Sequence, residues 1–241
     1  MKNFLIAKSI GILLLCPLSI NSAFSKNVEN KLLSNRLEEI LNQEKYDSIK
    51  ELFSKKSLEK FNKQFLNFQK NYKDTKWSIE IISSQKNFTF LDVKIKSKRE
   101  INGQTYFLNS KQTVKLETVK GQIKSFKVIN EESILKSQNS PLIIKVIAPD
   151  KVLTGERYEI NLIIEKPLDN SILASGMIVL SNSNNRNITL SDELFGIELS
   201  QSGGLFKYIQ APMESGSQTI SAIITHPEGI YSITKKIQVD L

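Results

Sequence analysis

Cysteine and histidine are almost absent from this sequence: its 241 residues include one of each, Cys16 and His226, and one tryptophan, Trp77. Cys16 lies within the first 25 residues, in a segment built like a removable leader, so the remaining chain can form no disulfide. His226 opens a His-Pro-Glu-Gly run between two extended segments, which reads as a turn. One histidine so placed and no retained cysteine exclude zinc sites built on those ligands, Ser-His-Asp triads and Cys-His dyads. Arginine is scarce as well, 4 of the 33 basic residues, so the bidentate fork that reads phosphates and bases is in short supply. There is no glycine-rich phosphate loop and no dinucleotide fingerprint. Acids such as Asp150, Asp192 and Glu193 do not follow the spacing of a calcium loop. No metal, cofactor or catalytic residue is assigned.

What is present begins with an export signal. Lys2 and Lys8 form a short basic start. Residues 10–20 form an apolar run broken by Pro17, too short for the roughly 20 apolar residues that a spanning helix needs. Ala23 and Ser25 place small residues at −3 and −1 of a cut before Lys26. An uncleaved anchor is the alternative. A lipoprotein is not, because Leu15 stands before Cys16 where a small residue is required. The expected mature protein is secreted or periplasmic, has no membrane span, and must be held by packed cores alone.

Charge divides the chain unevenly. Residues 26–140 carry 23 Lys/Arg against 14 Asp/Glu, and residues 141–241 carry 8 against 11. Such asymmetry supports a domain boundary and points to an anionic partner for the first half; the plainer account is a solvated lysine-rich surface. Periodicity changes at the same place. Leu33, Leu37, Ile40 and Leu41 recur at helical spacing. Asp47 is placed to cap a short second helix and Ser57 a third, which carries Leu58, Phe61, Phe65, Phe68 and Tyr72 as one stripe. From Lys76 the period becomes two, with Asn102-Gly103 marking a hairpin, a strand over 105–119 and a last one over 123–129. Residues 131–140 read as a polar linker. Beyond it come short strands over 142–147, 157–165, 177–180, 205–209, 219–225 and 230–239, the pattern of a β-sandwich.

Residues 32–129, with LEEILNQEKYDSIKELFSKKSLEKF as a helical opening and QTYFLNSKQTVKLETVKGQIKSFKVI as a last hairpin, resemble the nuclear transport factor 2-like superfamily, in particular its short secreted bacterial versions. The second half, opening IKVIAPDKVLTGERYEINLIIEKP and ending GSQTISAIITHPEGIYSITKKIQVDL, resembles extracellular immunoglobulin-like or fibronectin-like domains. The implied fold is an α+β cone-like domain, three helices on a curved antiparallel sheet, over 26–130, a linker over 131–140, and an all-β immunoglobulin-like sandwich over 141–241. Some cone-shaped relatives are isomerases or dehydratases that use an inward Asp, His or Tyr. Here Asp92 alternates with Lys94, Lys96 and Lys98, and Glu117 with Lys111 and Lys115, which sends both toward water; the direction of Glu80 stays open. The strand over 105–119 puts Ser110 and Gln112 on one face with Tyr106, Leu108, Val114 and Leu116. If that face is inward, the two polar groups need partners. Either they floor a small-ligand pocket lined by Tyr106 and Trp77, or they bond to each other, to water or to the helices.

These features read as an exported, non-catalytic binding or interaction protein. Its partner would be a small ligand or an envelope protein, with the second half as spacer or interaction module. A metal-free enzyme on an apolar small molecule, and a polyanion-binding envelope protein acting through the lysine-rich half, are the alternatives. N-terminal sequencing of the exported protein is expected to begin at Lys26; a start at Met1 would identify the segment as a retained anchor.

Overall fold

The computed structural model describes residues 20–85, 88–166, 173–181, 196, 198–200 and 203–241. The leader up to residue 19, and Asp192 and Glu193, lie outside the described residues. Helix α1 spans Ile20–Asn42, so its backbone runs through the expected cut before Lys26. No helix among the described residues is long and apolar enough to cross a membrane.

Leu33, Leu37, Ile40 and Leu41 of α1 are all buried, as their spacing requires. The helix stops after Asn42, where Glu44 takes a left-handed φ of 56°. The next turn, Tyr46–Glu51, is a 3-10 helix, and Asp47 lies inside it rather than capping an α-helix. Helix α2 spans Lys55–Asn71 with Ser54 at its N-cap position. Ser57 is not the cap. It sits in the first turn, where its hydroxyl reaches the Ile123 carbonyl at 2.5 Å. The Ile123 N–H in turn donates to the Leu52 carbonyl at 2.7 Å, and the Ser54 N–H to the Ile123 carbonyl at 3.0 Å.

Four long strands follow: β1 (Lys73–Gln85), β2 (Phe88–Ile101), β3 (Gln104–Val119) and β4 (Gln122–Ser137). They form an antiparallel meander. The β2–β3 turn has Asn102 at φ 51° and Gly103 at φ 77°, the pair of left-handed residues that a tight hairpin demands. The second half supplies β5 (Ile144–Ile147), β6 (Lys151–Leu153), β7 (Arg157–Ile164), β8 (Leu173–Ser181), β9 (Glu198–Ser200), β10 (Gly204–Gln210), β11 (Gly216–His226) and β12 (Gly229–Asp240).

Strand pairing overturns the expected pair of separate domains. The strands form one large sheet in the order β1-β2-β3-β4-β12-β11-β8-β9, with β6 parallel to β12, and a small sheet β10-β7-β5. Strand β12 pairs with β4 from Tyr231↔Lys136 to Lys236↔Glu131. Residues 131–137, expected as linker, are therefore a central strand. The chain is neither a three-helix cone of the nuclear transport factor 2-like kind nor a cone followed by a free-standing immunoglobulin-like sandwich. Among the described residues it is a largely antiparallel sheet shared by both halves, with a small second sheet, two α-helices and one 3-10 turn.

The shared sheet is covered on opposite faces in its two halves. Directly opposed residues of an antiparallel pair point to the same side, which makes Lys94, Lys111, Glu132 and Lys235 one continuous row. Its neighbour runs Lys96, Asn109, Ile134, Ile233. On this side β1–β3 are open to water, whereas β12 and β11 are covered by the small sheet: Ile233, Tyr231, Ala222 and Ile224 pack with Leu162 of β7 and Leu142. On the other side α1, the 3-10 turn and α2 cover β1–β4, burying Leu91, Val93, Ile95, Val114 and Leu116.

At the switch stands Lys235, in the inward row between Ile233 and Ile237 with its side chain 10% exposed. Its ammonium donates to Asp150 Oδ1 at 2.6 Å and Glu132 Oε2 at 3.0 Å. Burial disfavours the charge, but the bonds and charges of Asp150 and Glu132 outweigh it and hold the ammonium above the ordinary lysine pKa. Burial pushes the Tyr158 phenol up to about 12, and burial with the nearby Glu132 charge does the same for Tyr231.

Two expectations follow from these groups. The two acids are 39% and 68% exposed and Lys235 only 10%. Lys235→Met, which leaves its acids solvated, should therefore cost no more than about 1 kcal/mol by urea unfolding, and removing both acids about 3–5 kcal/mol, because an unpaired ammonium stays buried. All three raised groups keep their protons in the folded chain at pH values where the unfolded chain has lost them. The contribution of the two tyrosines is complete below about pH 10 and is lost as pH rises toward 12, and that of Lys235 is lost in the same direction, so the Tm should hold to about pH 10 and fall beyond it.

Candidate functional site

One edge of the large sheet is β1, and the backbone groups on an edge need partners. Helix α1 supplies them. The Asn42 amide donates to the Trp77 carbonyl and accepts from the Trp77 N–H, both at 2.9 Å, and Glu38 Oε2 accepts from the Ile79 N–H at 2.6 Å. This clamp sets Trp77 facing α2. Phe68 lies 5.6 Å and Phe65 6.2 Å from the indole between ring centroids. Phe61 stacks on Phe65 at 5.1 Å and contacts Phe53 at 4.8 Å. The aromatic stripe of α2 thus meets the sheet through rings, and Phe65 is buried while Phe61 and Phe68 remain partly open.

Between this stripe and the floor of β1–β4 lies an open cleft of about 330 Å³. Val93, Ile95, Val114 and Leu116 form the floor, Phe61 and Phe65 the roof, and Trp77 and Phe126 two of the walls. The polar lining residues are Gln64 and Gln112; none of the described lining residues is ionisable. A volume of this size lies within the range for small-molecule sites.

Of the four site residues expected from sequence, the structure brings Trp77 and Gln112 together in this cleft. Tyr106 and Ser110 are on the same inward face and both buried, but neither lines it. Tyr106 donates to Gln104 Oε1 at 3.1 Å. Ser110 belongs to a directional chain. The Glu131 carboxylate can only accept, so the Ser133 hydroxyl, 2.6 Å from it, donates there. Ser133 must then accept from Ser110 at 2.7 Å, leaving the Ser110 oxygen to accept from Gln112 Nε2 at 3.5 Å. Ser110 and Gln112 thus bond to each other, as the second account has it, and Gln112 in addition lines the cleft. The chain orients the amide of Gln112 and leaves its Oε1 without a donor among the described residues.

The carboxylates weighed as acids or bases lie elsewhere. Glu80 is exposed and opposite Asp92 on the outer face. Asp92 shares the lysine face as its alternation implies, yet it is not a simple solvated group: its side chain is 16% exposed, with Oδ2 3.6 Å from the Lys94 ammonium. Glu117 accepts from the Ser125 hydroxyl at 2.9 Å. His226 is a turn residue whose Nδ1 accepts from the Glu228 N–H at 3.1 Å. The described residues contain no cluster of three or more His, Cys, Asp or Glu able to hold a metal ion. Gln64, Phe126 and Val128 are lining residues that sequence reasoning missed. Gln64 is an exposed helical position beside the stripe, and Phe126 and Val128 share the inner face with Ile123 only because the β3–β4 register shifts between Glu117 and Thr118, which the period of the sequence does not show.

Residues 139–240 match the family described as a domain of unknown function (DUF8623). No curated protein matches the chain. The matched segment holds both cores between the two sheets but not β4, the strand beside β12, and every residue of the cleft lies outside it.

Phe65→Ala removes the ring shared by Phe61, Tyr46 and Trp77. It should cost about 3–5 kcal/mol in chemical denaturation and shift the emission of Trp77, the sole indole.

Proposed function

We propose that this is an exported, non-catalytic protein that binds a small apolar molecule carrying one hydrogen-bond donor, with the second half as its interaction module. One observation carries the reading: an open apolar cleft without an ionisable group in its described lining, and with one oriented amide. Acid–base catalysis needs a titratable group within hydrogen-bond reach of substrate, which this lining does not offer, so the enzymatic alternative finds no support here. An apolar body gains by covering Phe61, Phe65, Val93 and Val114, roughly in proportion to the area removed from water. A hydroxyl or N–H on it would donate to Gln112 Oε1, which the Ser110–Ser133–Glu131 chain keeps in place. The export assignment rests on the leader pattern of residues 1–25.

N-phenyl-1-naphthylamine is a suitable probe, being neutral, aromatic and equipped with one N–H. Titration is expected to give saturable one-to-one binding with energy transfer from Trp77. Val114→Phe should abolish it by filling the floor. Gln112→Leu should weaken it about five- to tenfold, the worth of one hydrogen bond. Emission rising linearly without saturation, or saturable binding untouched by Val114→Phe, would sink the reading.

A further inference from the structure

The outer face of β1–β3 is a second candidate surface, on the opposite side of the sheet from the cleft. Like charges stand directly opposite each other there: Lys76 faces Lys96 across β1–β2, and Lys94 faces Lys111 across β2–β3. All four are exposed. Cross-strand pairs of one sign are unfavourable, so these rows carry a repulsion that a bound anion relieves. Nearby acids pair with only one of the four. Glu80 and Asp92 lie 4.0 and 3.6 Å from Lys94, and Asp74 takes Lys98 at 3.1 Å. Among the described residues no carboxylate comes within salt-bridge distance of Lys76, Lys96 or Lys111.

The shape of this face restricts what can lie on it. Along the same rows, Asn109 is followed by Ile134, which packs on the core beneath the small sheet, and Lys111 by Glu132, which shares Lys235 with Asp150 of the turn after β5. Face-packed sheets stand about 10 Å apart, so the basic face ends at a wall of that height. A flat bilayer surface cannot settle against lysines at the foot of such a wall, whereas a chain can lie along it. The chemistry of the face narrows the choice further. Arg99 is on the inner side, over the Tyr72 ring at 5.6 Å, so the lysine rows offer point charges and no guanidinium fork. Lys115 covers the Phe88 ring at 3.8 Å and approaches Phe90 at 6.0 Å. Phe107, 43% exposed and opposite Lys98, is the ring beside the lysines that carries no ammonium among the described residues, whereas Phe88, 38% exposed, lies under Lys115. Successive bases would want a series of stacking rings. One ring among dispersed ammonium groups suits a polymer of acidic sugars, whose C–H faces need a single platform and whose charges are spaced carboxylates.

We propose that the stepped outer face of β1–β3, with Lys76, Lys94, Lys96, Lys111 and Phe107, is a docking surface for a linear acidic polysaccharide. It is independent of the cleft, and either site can fail without the other.

Full-length protein is titrated with polygalacturonate at several salt concentrations, alongside neutral dextran, single-stranded oligo(dT) and vesicles containing phosphatidylglycerol. Wild type should bind polygalacturonate with a salt-dependent affinity and ignore dextran. The triple variant Lys94→Gln/Lys96→Gln/Lys111→Gln should lose at least about tenfold in affinity with a shallower salt dependence. A control triple on α2, Lys55→Gln/Lys56→Gln/Lys63→Gln, should stay within about twofold, since it removes equal charge from another surface. Equal losses in both triples would overturn the proposal in favour of diffuse attraction. Tighter binding of oligo(dT) or of vesicles, lost in the first triple, would overturn it in favour of that class of partner. Absence of polygalacturonate binding at low salt would overturn it outright.

Discussion

The pairing of β4 with β12 is the contact on which the rest of the molecule depends. It joins residues about a hundred positions apart, such as Lys235 and Glu132, and turns two β-rich halves into one sheet. Loop closure over that distance opposes it, but the entropic cost grows only slowly with loop length. Six paired positions from Tyr231 to Lys236 offset it, together with the Ser137 hydroxyl, which accepts from the Ile230 N–H at 2.6 Å. Lys235 marks where the sheet changes from one covered face to the other. A lysine in an apolar row is unfavourable by itself; here acids on β4 and on the turn after β5 satisfy it, so the ion pair fixes which strand and which turn meet. Buried ion pairs of this kind serve specificity more readily than stability.

The alternation of covered faces explains why two dissimilar surfaces lie back to back on β1–β3. On the helix side, aromatic rings hold α2 against the small residues Val93 and Val114, and a gap of about 330 Å³ remains. Protein interiors are otherwise close-packed, so a gap of that size between apolar walls is a departure that a ligand would correct. On the other side no layer of the described residues covers β1–β3, and lysines occupy every position of the middle rows but Asn109 and Ser78.

The edge of the sheet shows how local chemistry supports both surfaces. Asn42 and Glu38 of α1 bond to the backbone of β1 as a neighbouring strand would. This blocks pairing with another chain and holds Trp77 at the cleft. The pinning of residues 52–54 and Ser57 to Ile123 does the same for the start of α2.

Much of the local structure was decided by the sequence alone. The apolar spacing in α1 and α2, the alternation in β1–β3 and the left-handed Asn102-Gly103 turn each follow from residues within a few positions of one another. So does the grouping of Gln112 with Tyr106, Leu108, Ser110, Val114 and Leu116 on one face of β3, although which way that face points does not. The strand through residues 131–137 was not legible, because each of its faces carries one apolar residue, Ile134 or Leu135, among polar ones. Glu131 and Glu132 look like linker residues until Lys235 and Lys236 stand opposite them. Tertiary structure alone decided that β12 joins β4, that the faces switch at Lys235, and that a cleft and a basic step therefore lie on opposite sides of one sheet. The physical reason is the same in each case. Period and turn chemistry act over a few residues, whereas strand order is set by which distant strand can satisfy an edge and bury a shared face, and no local pattern encodes that choice.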